Sequence, residues 1–169
     1  RTPRPDDDPK RYYYFEHTDE GLRPILDRIA HHQTLQYNIN PFNLQMYGSE
    51  IEDYPHQYNV GDIFSSSIDG FRQLGFGKLY IFSVVTDAET WRKRLTERFP
   101  ADHPNRQHRL EEAILSLEWS LSQTAADHAW VINETGSIEH AVQAVDRVIC
   151  GDTPAEQPQA TQLAQECLA

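Results

Sequence analysis

"KLYIFSVVTDAETWRKRLTERF", residues 78–99, is the stretch whose reading decides the fold. Its first eight residues form a compact apolar run rich in β-branched and aromatic side chains, which predicts a buried strand. Thr86 and Glu89 then stand three apart, a capping box that predicts a basic helix directly after the strand. The same order repeats downstream. Residues 106–126 predict the longest helix, with Leu110, Ala113, Ile114, Leu117 and Leu121 on one stripe. "HAWVIN" (128–133) predicts a second buried strand and "SIEHAVQAVDRVI" (137–149) a further amphipathic helix. Alternation of strand and helix points to an α/β fold with a parallel sheet.

Upstream the pattern is looser. Thr18 caps an expected helix running to about Ala30, with Leu22, Ile25, Leu26 and Ile29 on one face. Pro24 is expected in or near its first turn, where a missing N–H costs least. "TLQYNI" (34–39) and "NLQMYG" (43–48) read as short strands around a polar turn holding Pro41. A short helix stopped near Pro55 and a turn at Gly61 follow. Residues 151–169, rich in Pro, Gln and Ala, read as a loose C-terminal tail.

The 169 residues suit one domain with a subdomain and are enough to bury a real core. No apolar run reaches the roughly 18 residues that a membrane span needs, and no secretory leader is visible. A net charge of -11 argues against broad binding to nucleic acid or to anionic membranes. Local basic clusters therefore stand out. Cys150 and Cys167 suggest neither a disulfide framework nor a zinc site and fit a reducing cytoplasm. His103, His108, His128 and His140 share no metal-ligand spacing, and no Ser-His-Asp or Cys-His nucleophile pattern is evident. The sequence begins at Arg1 and its single methionine is Met46, so we expect the natural N-terminus to lie further upstream.

"RTPRPDDDPKRYYYF" (1–15) concentrates chemistry. Arginine offers a planar fork of donors that matches a phosphate face, and each charge-assisted bond contributes roughly 1.5–3 kcal/mol. Pro3, Pro5 and Pro9 restrict the backbone, Asp7 can orient an arginine by ion pairing, and a tyrosine hydroxyl adds a neutral donor. A solvated, charged loop accounts for these residues equally well when they are taken alone.

The register adds to that reading. R-x-P-R, an acid three residues on and Y-x-F six further resembles the nucleoside-monophosphate-binding segment of guanylate kinases. Arg1, Pro3, Arg4, Asp7, Tyr13 and Phe15 fall on the matching positions without a gap. Tyr47-Gly48-Ser49 is similar to the family's Y-G-[ST] step, and "RKRLTERF" to its lid-side R-L-x-x-R. Arg109 lies eleven residues beyond Arg98, the family's spacing for another arginine facing the ATP phosphates. "WVIN" resembles the strand ending in an asparagine near the adenine, here Asn133. The likeness covers about residues 1–150.

Two departures stand beside it. Gln36 (or Asn38) and Ser65 occupy the positions at which the family reads guanine with acids, which leaves base selectivity open. No G-x-x-x-x-G-K-[ST] loop occurs anywhere in the chain. In the family it precedes the R-x-P-R segment, so we expect it upstream in a longer parent.

The resemblance implies a P-loop NTPase-type parallel-sheet core, a small mixed β/α acceptor-binding subdomain at about 10–60 and a helical lid at about 92–110. It implies transfer of the γ-phosphoryl of ATP, with Mg²⁺, to a nucleoside monophosphate, most simply GMP, in a cytoplasmic enzyme with no nucleic-acid or membrane partner. Arg1, Arg4 and Tyr13, with Tyr47, would bind the acceptor phosphate, and Asp7 would position the arginines. Gln36, Ser49 and Ser65 would face the base, Asn133 the donor nucleotide, and Arg94, Arg98 and Arg109 would neutralise transferring charge. The alternatives are a non-catalytic module that binds phosphorylated protein segments, and a related kinase with a different phosphorylated acceptor.

Overall fold

The computed structural model describes residues 15–16, 18–31, 35–39, 46–124, 126–134, 137–152 and 156–169. The chain divides into two compact units, with the boundary between Gly77 and Lys78.

In the first unit, helix α1 (Asp19–Ala30) starts at Thr18, whose hydroxyl accepts from the Gly21 N–H at 3.0 Å. Pro24, expected in or near the first turn, lies just past it, inside the helix. The ring removes one intrahelical donor there, yet the helix continues to Ala30. Leu26 of the expected apolar face is half exposed. Strands β1 (Leu35–Ile39) and β2 (Met46–Glu50) pair antiparallel, with Leu35 opposite Glu50 and Ile39 opposite Met46. Arg28 of α1 forms an ion pair with Glu50 of β2. A 3₁₀ turn (Ile51–Asp53) precedes Pro55, and a second (Ser65–Ser67) leads into helix α2 (Ile68–Gln73). Ile68, Phe71 and Leu74 are buried, and the Tyr54 ring stands edge-on to Phe71 at 5.8 Å and to Phe76 at 5.2 Å.

The second unit is the α/β portion. Strands β3 (Ile81–Val85) and β4 (His128–Ile132) pair in parallel, Ile81 opposite His128 and Val85 opposite Ile132. Helices α3 (Ala88–Arg98) and α4 (Arg106–Ser122) form the crossover between them. Helix α5 (Ile138–Ile149) follows β4 and ends at Gly151, whose φ of 102° is open to glycine at little cost. The fold is thus mixed α/β, with a two-stranded parallel sheet and six helices among the described residues.

Three expectations are corrected here. β4 is buried almost throughout, but β3 exposes Val84 to 59%, because no described element covers that side chain. The cap of α3 is Asp87, whose carboxylate accepts from the Thr90 N–H at 2.7 Å; Thr86 is buried at the strand end instead. The expected loose tail contains helix α6 (Gln157–Leu168).

That helix completes the core. Ala160 and Ala164, both at 0% exposure, pack with Val85, Trp130 and Ile132, and Leu117, Leu121 and Leu163 close around them. A twelve-residue helix is marginal in isolation, so burial against the sheet holds it. The Gln157 side chain also accepts from the Trp130 N–H at 3.1 Å, capping the β4 edge that faces away from β3. Between sheet and α4, Ser120 donates to the Ser116 carbonyl and Ser83 donates to Ser120. His128 Nε2 must therefore donate to Ser83, 2.8 Å away, which fixes that nitrogen as protonated.

Replacing Ala164 by Leu puts three carbons into a site with no free surface. We expect a loss of about 1–3 kcal/mol, read as an earlier thermal midpoint by circular dichroism. An unchanged midpoint would mean that α6 is not seated on the sheet.

Candidate functional site

Two groups of the sequence-predicted residues are brought together, one in each unit. Arg1, Arg4, Asp7 and Tyr13 lie outside the described residues.

In the first unit the β1–β2 ladder does the placing. Gln36 is the register partner of Ser49, and Tyr47 lies two residues before Ser49 on the same strand. The Tyr47 ring meets Phe64 edge-on at 5.9 Å, and Ser65 follows Phe64 directly as the first residue of its 3₁₀ turn. Ser49 Oγ lies 2.9 Å from the Tyr54 hydroxyl. Burial raises the Tyr54 phenol above its ordinary pKa, while the hydrogen bond with Ser49 works against that shift. Any ligand that uses the Ser49 hydroxyl must share it with Tyr54.

In the second unit, Arg98 and Arg109 both reach the Phe99 ring. Helix α3 ends at Phe99, and the chain turns through 100–105 into α4. The Arg98 guanidinium carbon lies 5.5 Å from the centre of the Phe99 ring and that of Arg109 5.9 Å. Both distances are within cation–π reach. Arg106 Nη1 donates to the Phe99 carbonyl, and the His103 ring stands edge-on to Phe99 at 5.0 Å. Arg109 also pairs with Glu112 at 2.6 Å, three residues on. Arg94 sits exposed on α3, one turn before Arg98. Between 92 and 109 the cations Arg92, Lys93, Arg94, Arg98, Arg106 and Arg109 face only Glu97 and Asp102, within a chain of net charge -11.

Asn133 follows β4 and extends the ladder, its N–H donating to the Val85 carbonyl at 2.7 Å. A cleft of about 400 Å³ lies beside it, at the C-terminal ends of the two parallel strands. Thr86, Asp87, Thr90, Ile132 and Glu134 line it, with Gln159 and Leu163 from α6. Open α/β sheets place ligands outside the carboxyl ends of their strands. The cleft wall carries two carboxylates and no cation, so it suits hydrogen-bond donors rather than phosphate. Cys167 closes the far side of Thr86, its thiol donating to the Thr86 carbonyl at 3.6 Å; burial raises its pKa.

Sequence reasoning missed Phe99, Arg106, Gln159 and Leu163. An apolar residue ending a helix carries no chemical signal, and the α6 pair fell in the stretch read as tail. Comparison of the chain with protein-family models, with curated proteins and with solved structures returns no significant match.

Asp87 offers a check by pH. Its hydrogen bond from the Thr90 N–H holds its carboxyl below the ordinary carboxylate pKa. A depressed folded pKa stabilises the fold above the unfolded value, and that contribution is lost as pH falls through the folded value. Asp87→Ala should therefore be less stable than the parent chain at pH 7, and the two denaturation midpoints should converge on acidification below about pH 4. A difference independent of pH would remove the carboxylate from the cap.

Proposed function

We propose that the chain is a guanylate-kinase-like domain of the P-loop nucleoside monophosphate kinase class, with β3 and β4 as two strands of its core sheet. One observation carries the reading: Arg98 and Arg109, eleven residues apart and on different helices, converge on one aromatic ring in an otherwise acidic protein. Phosphoryl transfer asks for cations gathered around the moving group and little covalent chemistry. Arg94, one turn from Arg98, would join them. Asn133 and the neighbouring cleft, with its acceptor-rich wall, would take the nucleoside end of the ATP donor. Gln36, Tyr47, Ser49 and Ser65 would hold the acceptor monophosphate together with Arg1, Arg4, Asp7 and Tyr13, GMP being the simplest acceptor.

The residues fit the phosphates of a nucleotide through Arg98 and Arg109. They offer no corresponding set for Mg²⁺, since no group of three His, Cys, Asp or Glu among the described residues could hold a metal ion. Among the described residues no helix is long and apolar enough to cross a membrane. A cytoplasmic location belongs to this proposal.

A second reading has its own support. Gln36 and Ser65 stand where the family reads guanine with acids, so the ligand's base need not be what is recognised. A non-catalytic module that holds phosphorylated protein segments needs the acceptor-phosphate binders alone.

The product of the complete gene, assayed with Mg·ATP and each nucleoside monophosphate, separates the two. The kinase reading expects turnover of GMP, with kcat reduced roughly 10²–10³-fold in Arg98→Ala or Arg109→Ala. No turnover with any monophosphate, together with binding of a phosphoserine peptide, selects the non-catalytic module.

A further inference from the structure

We propose that Phe99 is the positioning residue of the Arg98–Arg109 pair, its ring holding the two guanidinium groups together as a seat for a polyphosphate. The inference rests on the reading of those arginines as phosphate-neutralising groups. Two like charges on neighbouring helices repel, and long exposed side chains otherwise disperse into solvent. The negative faces of an aromatic ring oppose that dispersal without neutralising either charge. A carboxylate would gather the arginines too, but it would occupy the forks that a phosphate needs. Among the described residues Arg98 has no carboxylate partner. Glu112 takes part of the Arg109 fork and leaves its remaining donors.

The ring is itself held in place. The Phe99 N–H donates to the Leu95 carbonyl at 2.8 Å, ending α3, and the Phe99 carbonyl accepts from Arg106 in the first turn of α4. Within the connecting turn the His103 N–H donates to Pro100 and the Arg106 N–H to His103, at 2.9 and 3.0 Å. The edge of the His103 ring fills a side of Phe99. Arg106 and His103 thus hold Phe99 at the junction of the two helices, so Arg98 from α3 and Arg109 from α4 reach the same fixed ring. A leucine would fill similar space without a quadrupole.

The test titrates the chain with inorganic tripolyphosphate by calorimetry, comparing Phe99→Leu, Phe99→Trp, Arg98→Ala and Arg109→Ala. Loss of two exposed cation–π contacts should weaken binding roughly fivefold in Phe99→Leu. Phe99→Trp, with the stronger quadrupole, should bind at least as tightly as the parent chain. The upfield ring-current shifts expected for the Arg98 and Arg109 side-chain protons should vanish in Phe99→Leu, while circular dichroism of the folded chain stays unchanged. Parent-like affinity in Phe99→Leu, with weakened binding in the arginine variants, overturns the positioning role and leaves the reading of the arginines standing. Parent-like affinity in all four variants overturns both. Should Phe99→Leu unfold, Phe99→Trp decides: weaker binding with the fold intact overturns the proposal.

Discussion

Ala160 and Ala164 of α6 lie flush against β3 and β4, and the second unit depends on that contact. A two-stranded sheet has too little buried surface to persist in water alone, and parallel strands in particular occur with their faces covered. The alanines allow the helix axis to approach closely enough for Val85, Trp130 and Ile132 to be enclosed with Leu117, Leu121 and Leu163. Burying each large apolar side chain contributes about 1.5–3 kcal/mol. A surface cap or ion pair, at about 1 kcal/mol or less, could not substitute for them. The same helix supplies Gln157 to the open edge of β4 and Gln159 and Leu163 to the cleft. Core, sheet edge and candidate site are thereby one construction.

The basic turn between α3 and α4 answers a different constraint. Gathering arginines is unfavourable unless something compensates, and here the compensation is mostly apolar and backbone-based. Phe99 offers its ring and its carbonyl, and among the described residues Glu112 is the one formal negative charge paired with Arg109. An arrangement of this kind leaves guanidinium donors facing solvent. Under the proposed function those donors would meet a transferring phosphate.

Legibility in the sequence followed the size and branching of the buried residues. "IFSVV" and "HAWVI" were readable as strands because bulky apolar residues fill them, and α5 because its valines recur at helical spacing. Helix α6 was not readable. Its buried positions are Ala160, Ala164 and Cys167, which carry little hydrophobic signal, and Pro158 and the glutamines around them imitate a linker. The α3 cap was misassigned because Thr86 and Asp87 are adjacent acceptors. The choice between them turned on where β3 ends, a tertiary matter. Among candidate site residues, Arg98 and Arg109 were singled out only through the resemblance to the guanylate-kinase lid, whereas Phe99 has meaning only after two helices converge on it.

Native-state hydrogen exchange, followed by NMR, tests the docking of α6 most directly. If α6 is part of the core, the amides of Ala164 and Cys167 exchange with the same opening free energy as those of Val131 and Ile132 in β4, because they open together. Exchange of the α6 amides at the rate of a free peptide, with β4 still protected, would contradict the account.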